Sequence, residues 1–167
     1  SLLHALGPAP AVGNADLPIR ELDRHQAAII GIPEDRNGFI QGSHRGPDAV
    51  RDKLYQLAAI SRALKIYDLG NIKNGGSVND SYFALRDILL ELKERGIISL
   101  ILGGSQDLSR GVFLALEKTP GLHHILTIDS MLDFSESPER LHSRNYLNQL
   151  LLAPLSKRFS FTNLGHQ

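Results

Sequence analysis

Cysteine is absent from the 167-residue sequence, which excludes a disulfide framework, a thiolate zinc site and a cysteine nucleophile together. A cysteine-free chain suits a reducing cytoplasm, the expected location. An excess of charge of either sign is also missing, since 18 Lys and Arg balance 18 Asp and Glu. No long-range field gathers nucleic acid or anionic lipid, and neither is an expected partner. Long apolar runs are lacking as well. The stretch from Ile97 to Leu102 is far too short to cross a bilayer, and no basic segment followed by an apolar core opens the sequence. Neither repeats nor low-complexity tracts occur.

What is present is ordinary for a folded protein: 42% apolar and 22% charged residues, in a chain long enough for one sizeable core. Residues 1–24, with Pro8, Pro10, Pro18, Gly7 and Gly13 and no sustained period, read as an irregular arm. Residues 25–167 read as one α/β domain. Ala27 to Ile32 is an apolar run ended by Gly31 and Pro33, the signature of a strand buried on both faces. Pro47 suits a first helical turn, and Val50, Leu54, Leu57 and Ala58 follow at helical spacing. Leu64 to Tyr67 reads as a short strand, and Gly70 to Gly76 as turns. Ser77 with Asp80 forms a capping-box pattern before a helix striped by Leu85, Ile88, Leu89 and Leu92, with Gly96 beyond its end.

Ile97 to Leu102 reads as a second buried strand, followed by a helix from about Leu108 to Lys118 that turns Val112, Phe113 and Leu116 inward. Further strands are expected at His124 to Ile128 and Phe159 to Thr162, with a short helix at Tyr146 to Leu152 between them. Alternating strands and helices imply a mostly parallel sheet covered by helices on both faces, a three-layer αβα architecture. Ligands of such sheets bind beyond the carboxyl ends of the strands. Three loops lie there: Gly31 to Gly46, Gly103 to Asp107, and Asp129 to His142.

Each loop has a chemical and a structural reading. Asp129 and Asp133 could converge as hard oxygen donors for manganese or magnesium; equally, Asp129 could cap the turn leaving its strand while Asp133 faces water. Gly103-Gly104-Ser105-Gln106-Asp107 could bring backbone amides and a helix end against an anion, or be a tight turn. It lacks the third glycine of a dinucleotide fingerprint and the lysine of a phosphate loop. His44 and Arg45 could bind an anion or be solvated. His123 and His124, at a strand start, read as structural.

Taken in order, the three loops resemble the ureohydrolases: the arginase, agmatinase and formimidoylglutamase family. That family opens with a Gly-x-Pro-x-Asp strand end and a Gly-x-x-x-Gly-Pro-x-x-x-Arg helix start, similar to Gly31 to Asp35 and Gly42 to Arg51. Its Gly-Gly-Asp-His-Ser motif supplies one metal-binding histidine, and Gln106 stands in that place. Its Asp-Ala-His-x-Asp motif supplies two aspartates, matched by Asp129 and Asp133, and a second histidine, near which Met131 stands. Gly103 to Asp107 and Asp129 to Asp133 look most like a formimidoylglutamase-like branch with altered metal motifs, as do Asp68 to Asn71 and Ser143 to Leu151. The likeness covers residues 27–167 and ends before a later family motif with two bridging aspartates.

The resemblance implies an arginase-like fold and, in active members, two manganese ions whose bridging hydroxide attacks a guanidinium or formimino carbon. It assigns Asp129, Asp133 and Gln106 to the metal, His44 and Ser105 to the substrate, and His142 to proton transfer as the catalytic residue. A neutral amide and a thioether in place of two imidazoles suit manganese poorly. Weak metal binding is therefore expected, with hydrolysis by this chain alone impaired or absent. The expected ligand is a small guanidino or formimino compound; the alternative is a non-catalytic binding or assembly module. Because complete family members place later strands between the third and fourth, those two strands are expected to pair directly, in the order 2-1-3-4-5, or to be covered by a second copy in a homo-oligomer.

Overall fold

The computed structural model describes residues 22–57, 63–135, 140–148 and 159–166. Most of the expected arm, Ala58 and the helix beyond Asn148 lie outside them. Leu22, assigned to the arm, is buried in the core.

Strand β1 (Ala27–Gly31) is buried at every position, as its unbroken apolar run requires. It pairs in parallel with β2 (Ile66–Asn71) on one side and β3 (Ile98–Leu102) on the other, giving the order β2-β1-β3. β2 runs further than expected, through Asp68 to Asn71. There the register with β1 slips between Ile29 and Gly31, and Gly70 adopts a positive φ of 77° that a side chain would resist.

Helix α1 (Gly46–Leu54) starts at the proline-bearing turn as expected, but its apolar stripe is not its buried face. Val50 and Leu57 are exposed, whereas Pro47 and Arg51 are buried. Helix α2 (Val78–Glu94) has the capping box: the Asp80 amide donates to Ser77 Oγ at 3.3 Å and the Ser77 amide to the Asp80 carboxylate at 2.8 Å. It buries Leu85 and Leu92 with Ile88 and Leu89 packed beside them, each fully buried leucine stabilising by about 1.5–3 kcal/mol. A 3-10 turn at Gln106–Leu108 leads into α3 (Ser109–Lys118). Gly111 of α3 lies so close to α2 that a β-carbon there would meet the Leu85 side chain at 2.8 Å.

Strands β4 (His123–Ile128) and β5 (Phe159–Leu164) form a separate parallel pair. Their inner residues Ile125, Phe159 and Phe161 pack on Phe113, Tyr146 and Leu147. The fold is thus α/β, with parallel sheets flanked by helices.

Two expectations are corrected. The third and fourth strands do not pair: β3 ends one sheet and β4 the other, so the order 2-1-3-4-5 is not formed. Nor is β3 buried on both faces, since Ile98 is 64% exposed and Leu100 is also open. The physical reason is the same for both: β3 and β4 each stand at the edge of their sheet with no strand hydrogen-bonded beyond them, and side chains along them, Ile98, Leu100, Leu126 and Ile128, stay more than 40% exposed among the described residues. No described helix is long and apolar enough to cross a membrane.

Candidate functional site

The carboxyl ends of β1, β3 and β4 bring the three loops together. Glycines make the approach possible. At Gly104 a β-carbon would stand 2.0 Å from the Glu34 carbonyl oxygen, so only glycine lets the second loop lie on the first, where the Ser105 amide donates to that carbonyl at 2.9 Å. At Gly31 a β-carbon would collide with Asn71 Oδ1 at 1.8 Å and Arg51 Nη1 at 2.7 Å.

The space at Gly31 is filled by Arg51, which reaches from α1 to a buried Asp68. Nε donates to Asp68 Oδ2 at 2.7 Å and Nη2 to Oδ1 at 2.9 Å, with further bonds to Asn71 Oδ1 and the Gly70 carbonyl. Tyr55 donates its hydroxyl to the same carboxylate. Burial alone would raise the Asp68 pKa, but the Arg51 and Tyr55 bonds, with the Gly70 amide, bring it below the ordinary carboxylate value. Burial and the bond to Asp68 push the Tyr55 phenol up to about 12.

The first loop is closed by its own acids. Glu34, fully buried, accepts from the Arg36 amide at 2.9 Å, from its guanidinium and from Ser81. Asp35 accepts from the Gly42 amide at 2.7 Å and the His44 amide at 3.2 Å, and its Oδ2 lies 2.8 Å from His44 Nδ1. His44 is thereby committed to Asp35 and does not line the cleft described below. Ser105 does line it, but its hydroxyl is bonded to Asp107 at 2.5 Å and to the Glu34 carbonyl. Tyr82 donates to the other Asp107 oxygen and accepts from Asn37 at 2.9 Å.

Between these loops and the end of β4 lies a cleft of about 650 Å³. Gln106, Asp129, Met131 and Asp133 share its wall. Gln106 Nε2 donates to Asp129 Oδ2 at 2.7 Å, and the Met131 amide donates to Oδ1 at 3.0 Å. These two bonds hold the Asp129 carboxyl below its usual pKa. Asp133 is of the opposite kind. It is 7% exposed, adopts a φ of 45°, and receives no hydrogen bond on its carboxylate among the described residues. Burial, and then the negative charge of Asp129, raise its pKa, against the pull of Arg144 and His142. His142 is therefore within electrostatic reach of Asp133, although it does not itself line the cleft; its Nδ1 accepts from the Arg144 amide at 3.1 Å.

Of the residues singled out in the sequence, Gln106, Asp129, Asp133 and Ser105 meet in one cleft, His142 stands beside it, and His44 stands apart. The sequence reading missed Arg144, whose guanidinium lies 3.6 Å from the ring centroid of Phe39 on the opposite loop. It also missed Tyr146, near Gln106 and packed on Phe113. Neither carries a motif; an arginine within Ser143 to Leu151 was the available signal for the first.

A pair of manganese ions does not fit this donor set. Asp129 and Asp133 are the strong donors, the amide nitrogen of Gln106 is turned to Asp129, and no cluster of three or more His, Cys, Asp or Glu suited to a metal occurs among the described residues.

The sequence model of the arginase family matches residues 25–165. A formimidoylglutamase of Corynebacterium efficiens is 29% identical over 126 residues, covering 70% of this chain and 39% of that protein. A mitochondrial guanidino acid hydrolase of Mus musculus is 26% identical, covering 71% of this chain and 36% of that protein. Among solved structures, the Trypanosoma cruzi formiminoglutamase with Mn2+ aligns with a TM-score of 0.72 and 28% identity, over 82% of this chain and 52% of that one. The chain thus spans well under half the length of these two curated relatives.

Proposed function

The chain belongs to the arginase family, and from that premise we propose that its cleft binds a small guanidino or formimino compound, while manganese-dependent hydrolysis by this stretch alone is impaired or absent. The bond between Gln106 and Asp129 carries the reading. An amide that donates to the carboxylate neutralises part of its donor capacity and orients it, whereas an imidazole ligand would share a metal with it. Asp129 and Asp133 would then serve as acceptors for the N–H groups of a planar cation, with His142 beside Asp133 as the group that exchanges a proton with solvent. Ser105 acts indirectly by fixing the loop, through Asp107 and Glu34. The cysteine-free, charge-balanced sequence suits a cytoplasmic protein without nucleic-acid partners.

The test pairs binding with turnover. Butylguanidine should bind by calorimetry and lose its heat in an Asp129→Ala, Asp133→Ala double variant, while urea or formamide release from guanidino or formimino compounds with added Mn2+ stays at the blank rate. Sustained release at a family-like rate would overturn the proposal.

A second reading, a non-catalytic assembly module, is favoured by the exposed apolar side chains Ile98 and Leu100 on β3 and Leu126 and Ile128 on β4. A self-associating chain would bury such side chains in a homo-oligomer. Light scattering on the eluting species separates the two, since a monomer at micromolar concentration excludes self-assembly.

A further inference from the structure

The cleft has two chemistries in its wall. Asp129 and Asp133 supply acid, but Leu85, Ile101, Leu108 and Val112 line it as well. Leu85 and Leu108 are members of the hydrophobic core, and Ile101 and Val112 pack against that core. Resting on the reading of this cleft as a site for a planar nitrogen cation, we propose that the remainder of its ligand is an uncharged apolar tail, an alkyl or aryl group seated on these four side chains.

The apolar floor lies next to the acid. Gln106, which holds Asp129, opens the 3-10 turn that runs through Leu108 into α3, and Val112 follows Leu108 after one helical turn, a rise of about 5.4 Å. A guanidinium bound at the aspartates therefore has apolar wall within reach of a few methylenes.

Depth separates the floor from the rim. Leu85 is 0% and Leu108 4% exposed, whereas Phe39 is 61% and Ile40 73% exposed. Arg144, the cation among the described wall residues, is itself exposed and stands over Phe39, so it belongs to the rim.

An apolar group that displaces water from such a floor is stabilised in proportion to the area it covers. A charge or hydroxyl on the tail would lose its hydration against Leu85, Ile101, Leu108 and Val112, none of which has a polar side-chain atom to offer in exchange. Charge complementarity at one end and apolar contact at the other commit the site to a small amphipathic cation, and a cleft of about 650 Å³ has room for one.

Calorimetry of the chain with methylguanidine, propylguanidine and pentylguanidine reads the tail directly. Each added methylene should tighten binding about two- to fourfold, which makes pentylguanidine at least about tenfold tighter than methylguanidine. The compound 4-hydroxybutylguanidine, in which a hydroxyl replaces the terminal methyl of pentylguanidine, should bind more weakly than pentylguanidine. Ile101→Thr with Val112→Thr, which keeps the side chains branched and adds hydroxyls to the floor, should flatten the dependence on tail length. Thermal melts check that this variant folds, and the hydroxyl comparison on the unsubstituted chain stands independently of it. Equal affinity for the methyl- and hydroxyl-ended ligands overturns the inference. So does a length dependence that survives in the folded variant. Affinity that stays constant from methylguanidine to pentylguanidine overturns the apolar tail and leaves the cation site standing; if light scattering then finds a dimer, a second copy occupies the floor instead. Absence of heat with every guanidine overturns the cation site and, with it, the tail.

Discussion

Two aspartates, one within a strand and one in the loop beyond another, are treated by the chain in opposite ways. Asp68 within β2 is saturated: each oxygen accepts two bonds, from the Arg51 guanidinium, the Tyr55 hydroxyl and the Gly70 amide. Its pKa lies below the ordinary value. Asp133 beyond β4 is less deeply buried and lines the cleft, receives no hydrogen bond among the described residues, and has a pKa raised by burial and by the charge of Asp129. A satisfied buried charge holds a fold in one arrangement; one left open on a cleft is available to a ligand. The Asp68 corner therefore positions the loops, and the Asp133 corner is where binding chemistry is expected.

The largest effect separating the two corners is expected from Arg51→Met. It leaves Asp68 buried without its partner, and breaking such a pair costs about 3–5 kcal/mol, read as a fall in the denaturant midpoint. Next comes Tyr82→Phe. It strips one bond from Asp107 and one from Asn37, with an expected loss of about 1–3 kcal/mol; no measurable loss would show that Asp107 belongs with the open cleft rather than the frame.

The smallest effect has the reverse sign. Asp133→Asn removes a disfavoured charge where the positive φ of 45° is tolerated by asparagine, and should raise stability at neutral pH by up to about 1 kcal/mol. The pH dependence follows from the two shifts. Asp68, with a lowered folded pKa, contributes stability above its unfolded pKa and loses it as pH falls through the folded value. Asp133, with a raised folded pKa, contributes fully only below its unfolded value, and loses its contribution as pH rises through the folded one. Acidification should therefore erase the advantage of Asp133→Asn. An advantage that persists after the wild-type carboxyl is protonated would reveal a packing effect instead.

Much of this was legible in the sequence where the signal is local. The unbroken apolar run of β1, the capping box of Ser77 and Asp80, and the stripe of Leu85 and Leu92 predict what forms. The motif order also gathers Gln106 with Asp129, 23 residues apart. What fails is non-local. An apolar stripe predicts the buried face of α1 wrongly, because Arg51 finds Asp68 and Asn71 on β2. The apolar run of β3 predicts burial on both faces, yet a run cannot say whether another strand pairs beyond it. The imidazole of His44 is captured by Asp35 nine residues earlier, and Arg144 meets Phe39 across 105 residues of chain, a pairing that no period or spacing encodes.

We propose that the cleft is an acidic ligand site in which Gln106 occupies Asp129 and the described residues supply too few donors for a binuclear metal centre. Calorimetric titration of the chain with Mn2+ tests it most directly: the account predicts binding weaker than micromolar with no two-ion stoichiometry, because two carboxylates and a turned amide are too few donors, whereas two ions bound at micromolar affinity or better would contradict it.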